Sequence, residues 1–444
     1  MAKHGNVPDF AMEPGGEHRQ TRRSMLRLVM AHQLSTLSLS LLTMQARMQL
    51  LSVALSGDSR RVAKQVSRGA VFVALSDLLL SPTVGKLSDI IGRKPIMLLA
   101  PAVALPCKLL AAARPSVAVL LAERVFCDAF RTIGGTTMAY ACICDLYHGE
   151  DFTKALGQLN SATGLGIVLA PLVATAFMGQ HGNPRRAYWV SAALAMLHLV
   201  LGSKLLQETL ALTEIRSGTA AGSGRTMVQS CWRALHAVKP PWNCIDLFRR
   251  GLRLRLRAML FAVHCLLEGK ALQDQVAVLQ VGQGWGTELR SRWTSGLGLA
   301  ITIGGQGASW LISRFGEHPF TAACHFASFA AFIGLQRSNF WSSLALLCLG
   351  QQRRSVSTSW IVAEARQAGV GHGEVIGWMA SLRSAADAIS SMLYGTVYRV
   401  QAKKGREFDV FIVPAALVLL AELLRTYIAV KSVGERKGGG SSVA

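Results

Sequence analysis

What this chain has least of is charge. Asp, Glu, Lys and Arg together make up 16% of its residues, against 51% hydrophobic ones. That is too little charge and too much apolar surface for an ordinary soluble protein of several domains. A mean hydropathy of +0.33 points the same way. The devices of most enzyme classes are also missing: there is no nucleophile elbow, P-loop, zinc spacing or paired-carboxylate hydrolase pattern, and no cofactor or metal site is expected. The glycine pairs at 134 and 304 read as close-packing small residues rather than phosphate cradles. The nine cysteines are scattered, several of them within apolar runs (Cys107, Cys127, Cys265, Cys324, Cys348), and Cys142 with Cys144 is the only close spacing. They read as reduced space-fillers, so no disulfide framework is expected. The stretch Met1 to Ser24 is polar and lacks a short apolar core, so no cleavable secretory signal is expected.

Acidic residues are scarce relative to basic ones, 25 against 47, which leaves a net charge of +22. The basic residues do not gather in a soluble domain with interleaved aromatics, which argues against nucleic acid as a partner. They sit mostly in loops between apolar runs, where positive charge faces anionic lipid on the cytoplasmic side. What the chain has in abundance is those runs. A spanning helix needs roughly 20 predominantly apolar residues, because the bilayer offers no water to satisfy a broken backbone. A chain of this length has room for about twelve such helices, short loops and one long linker.

Read in order, residues 1–27 form a polar, basic tail expected to be disordered at a cytoplasmic surface. An N-terminal bundle follows over 28–207, with spans near 28–54, 69–84, 95–112, 116–144, 155–179 and 186–206. The first span is dotted with Gln33, Ser35, Ser38, Ser40, Thr43 and Gln45, which suits a helix lining a cavity. A basic loop over 59–68 separates it from the second, and Pro101 and Pro106 leave room for a kink in the third. Residues 208–257 are rich in Gly and Ser at 217–224 and close on Arg249, Arg250, Arg253, Arg255 and Arg257, so they read as a basic cytoplasmic linker. Its part near 247–257 is a candidate for lying along the membrane surface. A C-terminal bundle is expected over 258–430, with spans near 258–282, 294–313, 319–336, 340–363, 373–398 and 409–430, and a cytoplasmic tail over 431–444. The fold class expected is an all-α membrane protein of twelve helices in two pseudo-symmetric six-helix bundles.

The chain is organised around Gly85-Lys86-Leu87-Ser88-Asp89-Ile90-Ile91-Gly92-Arg93-Lys94-Pro95, a charged hinge between apolar runs at 71–84 and 96–110. By itself it reads as a tight turn at a membrane surface. A faded copy, Leu311-Ile312-Ser313-Arg314-Phe315-Gly316-Glu317, recurs in the second half, and aligning Gly92 with Gly316 sets Ser313 opposite Asp89. The hinge resembles, nearly residue for residue, the G-x-L-x-D-x-x-G-R-K-x signature between the second and third transmembrane helices of the major facilitator superfamily of secondary transporters. Gln207-Glu208-Thr209-Leu210 is similar to the E-T ending common to that family's first half. The resemblance covers about 28–430, and the layout resembles the branch of drug and tetracycline exporters. It implies movement of a small solute by alternating access. It also implies that Gly85, Asp89, Gly92, Arg93 and Lys94 form a gating latch, with Asp89 docking at the start of the eleventh helix near Gly371 to Glu374. The plainer alternative is a basic turn with an ordinary Asp cap. Loop charges alone fix the orientation poorly, since Arg60, Arg61, Lys64 and Arg68 would lie outside with Lys403, Lys404 and Arg406. The resemblance places the hinge, and hence both termini, in the cytoplasm.

Several ionisable residues fall within the expected spans, where charge is costly and tends to face a cavity or a partner. In the fourth, Arg124, Asp128 and Arg131 stand at i, i+4 and i+7 on one face, either a substrate or coupling site or a structural charge cluster. In the seventh, Glu268 shares a face with His264 and Gln275 and has no partner within its own helix, while Lys270 and Asp274 pair at i, i+4. Glu268 therefore suits proton coupling, or it is solvated at the membrane surface. The tenth carries Gln351, Gln352, Arg353 and Arg354 near mid-span, and the eleventh Arg383 and Asp387 one turn apart. Arginine at that depth calls for an anionic substrate, or for Glu268 or Asp274 across the cavity. The fifth helix, with Gly164, Gly166 and Pro171, resembles the G-x-x-x-G-P-x-x-G-G motif of drug and proton antiporters. Ala170 replaces the glycine before proline and Ala174-Thr175 the final pair, which weakens the case for antiport. The expected function is a secondary transporter, monomeric, with a small solute, protons and lipid as partners. The alternatives are an uncoupled facilitator and a receptor or scaffold that keeps the fold without transport.

Overall fold

A computed structural model of the chain describes residues 16–56, 59–178, 183–210, 244–268, 272, 275–276, 279–280, 283–285 and 287–438. In the first half, α1 comprises Gly16–Leu42 and its continuation Met44–Ala54, α2 is Ser59–Ile91 and α3 is Arg93–Ala113. Next come α4, built of Val117–Phe130, a π-helical stretch Arg131–Thr137 and Met138–Leu146, then α5 (Gly149–Met178) and α6 (Pro184–Leu205). The second half holds α7 (Leu252–Glu268), α8 (Thr287–Phe315), α9 (Glu317–Gln336), α10 in two pieces (Phe340–Gly350 and Arg353–Gln367), α11 (His372–Ala402) and α12 (Ile412–Gly438). A short helix, Asp246–Arg249, precedes α7, and no strand occurs among the described residues. The fold is the all-α, twelve-helix membrane architecture.

By length and composition alone, Gln20–Leu42, Arg93–Ala113 and Pro184–Leu205 are long and apolar enough to cross a membrane. Other helices carry polar residues on the faces they turn toward one another. Apolar side chains thus meet lipid while hydroxyl, amide and charged groups meet each other, the economical arrangement where water is absent.

Several expected boundaries move. The helix of α1 begins at Gly16, so the expected disordered tail is helical over its last part. The basic loop expected over 59–68 is the first part of α2, because a backbone needs no water to continue a helix beyond the bilayer. The hinge read as a tight turn is helical through Ile91, and the chain reverses at Gly92 alone. In the linker, 211–243 lie outside the described residues, and α7 starts at Leu252, ahead of the expected 258. The tenth span breaks at Gln351–Gln352, and α12 runs on to Gly438, into the expected tail.

The two halves meet most extensively where α5 lies along α8 and α2 along α11. Both contacts are glycine seams. A Cβ on Gly164 would come within 2.6 Å of the Gly298 carbonyl oxygen, one on Gly157 within 2.9 Å of that of Gly305, and one on Gly377 within 2.7 Å of that of Ser81. Such approach suits helices that pack without a hydrophobic driving force from water. A continuous apolar cluster also joins the halves at the hinge end, with Ile133, Met138 and Leu156 from the first and Phe261, Ile376 and Trp378 from the second.

Candidate functional site

The hinge builds a lock between the halves. Asp89 Oδ1 accepts the Gly373 N–H at 2.9 Å and Oδ2 accepts the Glu374 N–H at 3.0 Å. A carboxylate therefore caps the N-terminal turn of α11, where unpaired N–H groups and the helix dipole favour negative charge. Arg93, 1% exposed, ties this cap to α4, with Nη2 2.7 Å from Asp89 Oδ1 and Nε 2.9 Å from Asp145 Oδ2. From α11, His372 Nδ1 donates to Asp145 Oδ1 at 3.0 Å, while Arg366 Nε donates to His372 Nε2 at 3.2 Å. Asp145 stands just past the expected end of the fourth span. Burial would push its carboxyl up, but His372 and Arg93 outweigh burial and hold it below the usual carboxylate range.

Gly92 has φ 108° and ψ 165°, a region open only to glycine, and a Cβ there would collide with the Glu208 carboxylate. Glu208 has its own task. Its Oε1 accepts the Arg93 N–H at 2.8 Å and its Oε2 the Lys94 N–H at 3.1 Å, which caps α3. In the second half Gly316 also has a positive φ, 83°, but Ser313 opposite Asp89 bonds within its own helix, to the Ser309 carbonyl at 2.8 Å. Glu317 instead joins the halves, accepting from Trp360 Nε1 at 2.6 Å and from the Thr153 hydroxyl. The lock is asymmetric.

Beyond the lock lies a cavity of about 590 Å³, enclosed by α2, α4, α7, α10 and α11. Four arginines (124, 131, 354, 383) and three aspartates (77, 128, 387) line it together with Thr132, Thr136, Thr137 and Tyr140. Asp128 sits 3.9 Å from Arg124 Nε and 3.7 Å from Arg131 Nε, and accepts from the Ser40 hydroxyl at 2.6 Å. Arg383 and Asp387 lie 3.8 Å apart on α11.

Glu268 is not the partner-poor carboxylate that its own helix suggests. Arg354 Nη1 lies 3.0 Å and Arg353 Nε 3.7 Å from it, both from α10. Arg353 is fully buried and also donates to Ser328 Oγ at 2.7 Å. Of this group only Arg354 reaches the cavity wall. Asp274, with Lys270, lies outside the described residues. Gly164 packs across the halves against α8, whereas Gly166 packs within its own half against Leu37 of α1; Pro171 lies inside α5 without interrupting it.

Sequence reasoning passed over three groups. Asp77 is the lone acidic residue in the apolar run of α2, a signal that was there to be read. It is buried, lines the cavity beside Arg131, Arg383 and Asp128, and its Oδ1 has no hydrogen-bond partner. Asp145 and His372 stand at helix ends in the sequence, where nothing marks one as the other's partner. The π-helical stretch of α4 is the third. It turns Arg131, Thr132 and Thr136 into the cavity, and its Gly134 carbonyl accepts from His32 Nε2 at 3.1 Å. Single π-turns of this kind recur at functional sites because they re-aim side chains within a continuous helix.

The sequence profile of the Major Facilitator Superfamily matches residues 65–391, from the start of α2 to the cavity-facing part of α11. The chain belongs to this superfamily. The family is made up of transporters, and the chain is an integral, multi-pass membrane protein of that family. It is 32% identical over 136 residues to the class C tetracycline resistance protein of Escherichia coli, a match over 31% of this chain and 33% of that one. It is likewise 32% identical over 142 residues to Major facilitator superfamily domain-containing protein 10 of Bos taurus, over 32% of this chain and 29% of that one. The chain thus matches about a third of the length of these curated relatives. In fold it is similar to the human organic anion transporter MFSD10 (TETRAN), with a TM-score of 0.72 at 19% identity, over 91% of this chain and 99% of that chain. It is also similar to the proton:xylose symporter XylE, with a TM-score of 0.62 at 14% identity over 91% and 95%. At these identities the likeness is one of fold.

Proposed function

We propose that this member of the superfamily carries a small organic anion across the membrane by alternating access, driven by the proton gradient, with the hinge and both termini in the cytoplasm. The observation that carries the reading is the gathering of guanidinium groups in the cavity between the halves: Arg124 and Arg131, beside Asp128, Arg383, beside Asp387, and Arg354, beside Glu268, all line it. A planar, permanently charged guanidinium suits carboxylate and phosphate groups, and several gathered at one low-dielectric cavity suit an anionic solute. A fold neighbour is named as an organic anion transporter, which agrees with this choice of solute. The lock of Asp89, Arg93, Asp145 and His372 closes one end of the pathway, so release on that side requires breaking it. Arg124, Arg131, Arg354 and Arg383 are assigned to the anion, with Asp128 and Asp387 orienting them. The paired state of Glu268 leaves Asp77 as the candidate for coupling, since its Oδ1 has no donor and it faces Arg131 and Arg383.

Purified protein in liposomes, given radiolabelled benzoate, carboxyfluorescein or tetracycline with and without an imposed pH gradient, tests this. Gradient-driven accumulation of an anion is expected. Asp77→Asn should reduce accumulation by roughly 5–150-fold, the span of ordinary coupling energies, while anion exchange across a preloaded membrane persists. Accumulation unaffected by the gradient would favour the uncoupled facilitator. Absence of flux for every solute would favour a receptor.

A further inference from the structure

In the second half, four helices share a chain of hydrogen bonds that the central cavity does not use. Glu422 Oε2 of α12 lies 2.7 Å from His325 Nδ1 of α9, and His325 Nε2 lies 2.8 Å from His264 Nε2 of α7. His264 Nδ1 in turn lies 3.0 Å from Ser357 Oγ of α10. His325, His264 and Ser357 are buried. Glu422 is the open end, with 34% of its side chain exposed. Arg425, one turn further along α12, donates to Glu422 and reaches the His318 carbonyl in the first turn of α9, which sets this end of the chain near the membrane surface.

The chain has two complete arrangements. In the first, the Glu422 carboxylate accepts from His325 Nδ1–H, the uncharged His325 ring accepts at Nε2 from His264 Nε2–H, and His264 Nδ1 accepts the Ser357 hydroxyl. The second holds one proton more. His325 then carries hydrogen on both nitrogens, so His264 accepts at Nε2 and carries its own hydrogen on Nδ1, where Ser357 Oγ accepts it. The serine has a single hydrogen, which turns to the Arg354 carbonyl, already 3.1 Å away. One N–H bond is gained at His325, the His264 hydrogen changes nitrogen, and no bond between heavy atoms is touched. Every donor and acceptor of the chain keeps a partner in both arrangements, the condition for a buried polar network to hold either one. His32 and His198 of the first half also stand 2.9 Å apart, but the Gly134 carbonyl fixes one end and His198 Nδ1 has no partner at the other, so a second proton there would lack an acceptor.

The charged and titratable groups around the two rings are Glu268 of α7, Cys324 of α9, Arg353 and Arg354 of α10, Tyr394 of α11, and Arg425 beside Glu422 on α12. Glu268 is held by the two arginines of α10, whereas Glu422 touches a ring directly and so sets where an added proton settles. We infer that His325 with Glu422 is a proton-binding site, separate from Asp77, and that His264 and Ser357 pass its state to α10. Arg354, whose carbonyl takes the serine hydroxyl in the loaded arrangement, lines the central cavity and pairs with Glu268. A proton bound near the membrane surface thus acts on a residue that faces the solute. The inference stands on these contacts whatever solute the cavity carries.

The test is solid-state NMR of the whole protein in liposomes, its histidine ring nitrogens isotopically labelled, from about pH 4 to about pH 8, the span over which histidines in proteins titrate. Ring-nitrogen shifts separate N–H from bare nitrogen. His325 is expected to pass from a neutral ring to imidazolium. His264, staying neutral, should move its hydrogen from Nε2 to Nδ1 over the same interval. Glu422→Gln keeps an acceptor for His325 Nδ1 but removes the charge, and both changes should be lost from the interval in that variant. The inference is overturned if both rings keep one arrangement throughout, if His325 titrates while His264 Nε2 keeps its hydrogen, or if Glu422→Gln leaves the titration unaltered. In the unaltered protein the two rings are identified by the contact of their Nε2 atoms and by the carboxyl group beside His325, so the tautomer result stands whether or not the variant folds.

Discussion

Gly85→Val is expected to abolish most transport while leaving the protein folded. A Cβ at Gly85 would collide with the Gly373 carbonyl oxygen, and backbone cannot step aside as a flexible side chain can. The seam of α2 on α11 would have to part at the place where Asp89 caps α11. Overpacking of this kind costs about 1–3 kcal/mol, a shift of roughly 5-fold to 150-fold against the locked state. In the alternating-access cycle proposed above, the cost falls on one conformation only, because opening the hinge end would part the two backbones. A transporter that cannot close one end no longer alternates. Flux in liposomes should fall by about that factor, and cysteine-reactive probes should gain access to the native Cys144, buried next to Asp145 of the lock. Normal flux in Gly85→Val would remove the seam from the mechanism.

Glu268→Ala is expected to have the largest effect on stability. It leaves two arginines of α10, one of them fully buried, without their carboxylate. Removing one partner of a buried pair typically costs about 3–5 kcal/mol, because the remaining charge stays desolvated and uncompensated. Thermal unfolding in detergent should show a lowered midpoint and a reduced yield of monodisperse protein. Adding Arg353→Met to the same chain should recover much of the loss, since an apolar residue of similar length asks for no partner. A wild-type midpoint in Glu268→Ala would mean that Arg353 finds its compensation elsewhere, and the coupling role would return to Glu268.

The architecture was legible because bilayer chemistry writes it plainly: apolar runs of spanning length, and a hinge whose charges stand out between them. Boundaries were less legible. Helices such as α1 and α2 continue past the apolar run into basic sequence, and hydropathy reports where the lipid ends rather than where the helix does. Within the site, the i, i+4, i+7 triad of Arg124, Asp128 and Arg131 could be read as one face because a single helix carries it. Glu268 was misread for the opposite reason, since its partners come from α10 and no spacing rule reaches across helices. Asp145 and His372 failed in the same way. Asp77 is legible in the sequence alone, a lone carboxylate in an apolar run of the kind that calls for a function.

The measurement that bears most directly on alternating access is anion flux through protein locked at its seam. Ser381 Oγ donates to the Leu78 carbonyl at 3.1 Å, so α2 and α11 already touch there. A Leu78→Cys, Ser381→Cys pair, in a background with the reactive native cysteines replaced, can be joined by oxidation and released by reduction. Alternating access requires benzoate flux to stop on oxidation and return on reduction. Flux that continues through the joined protein would contradict it.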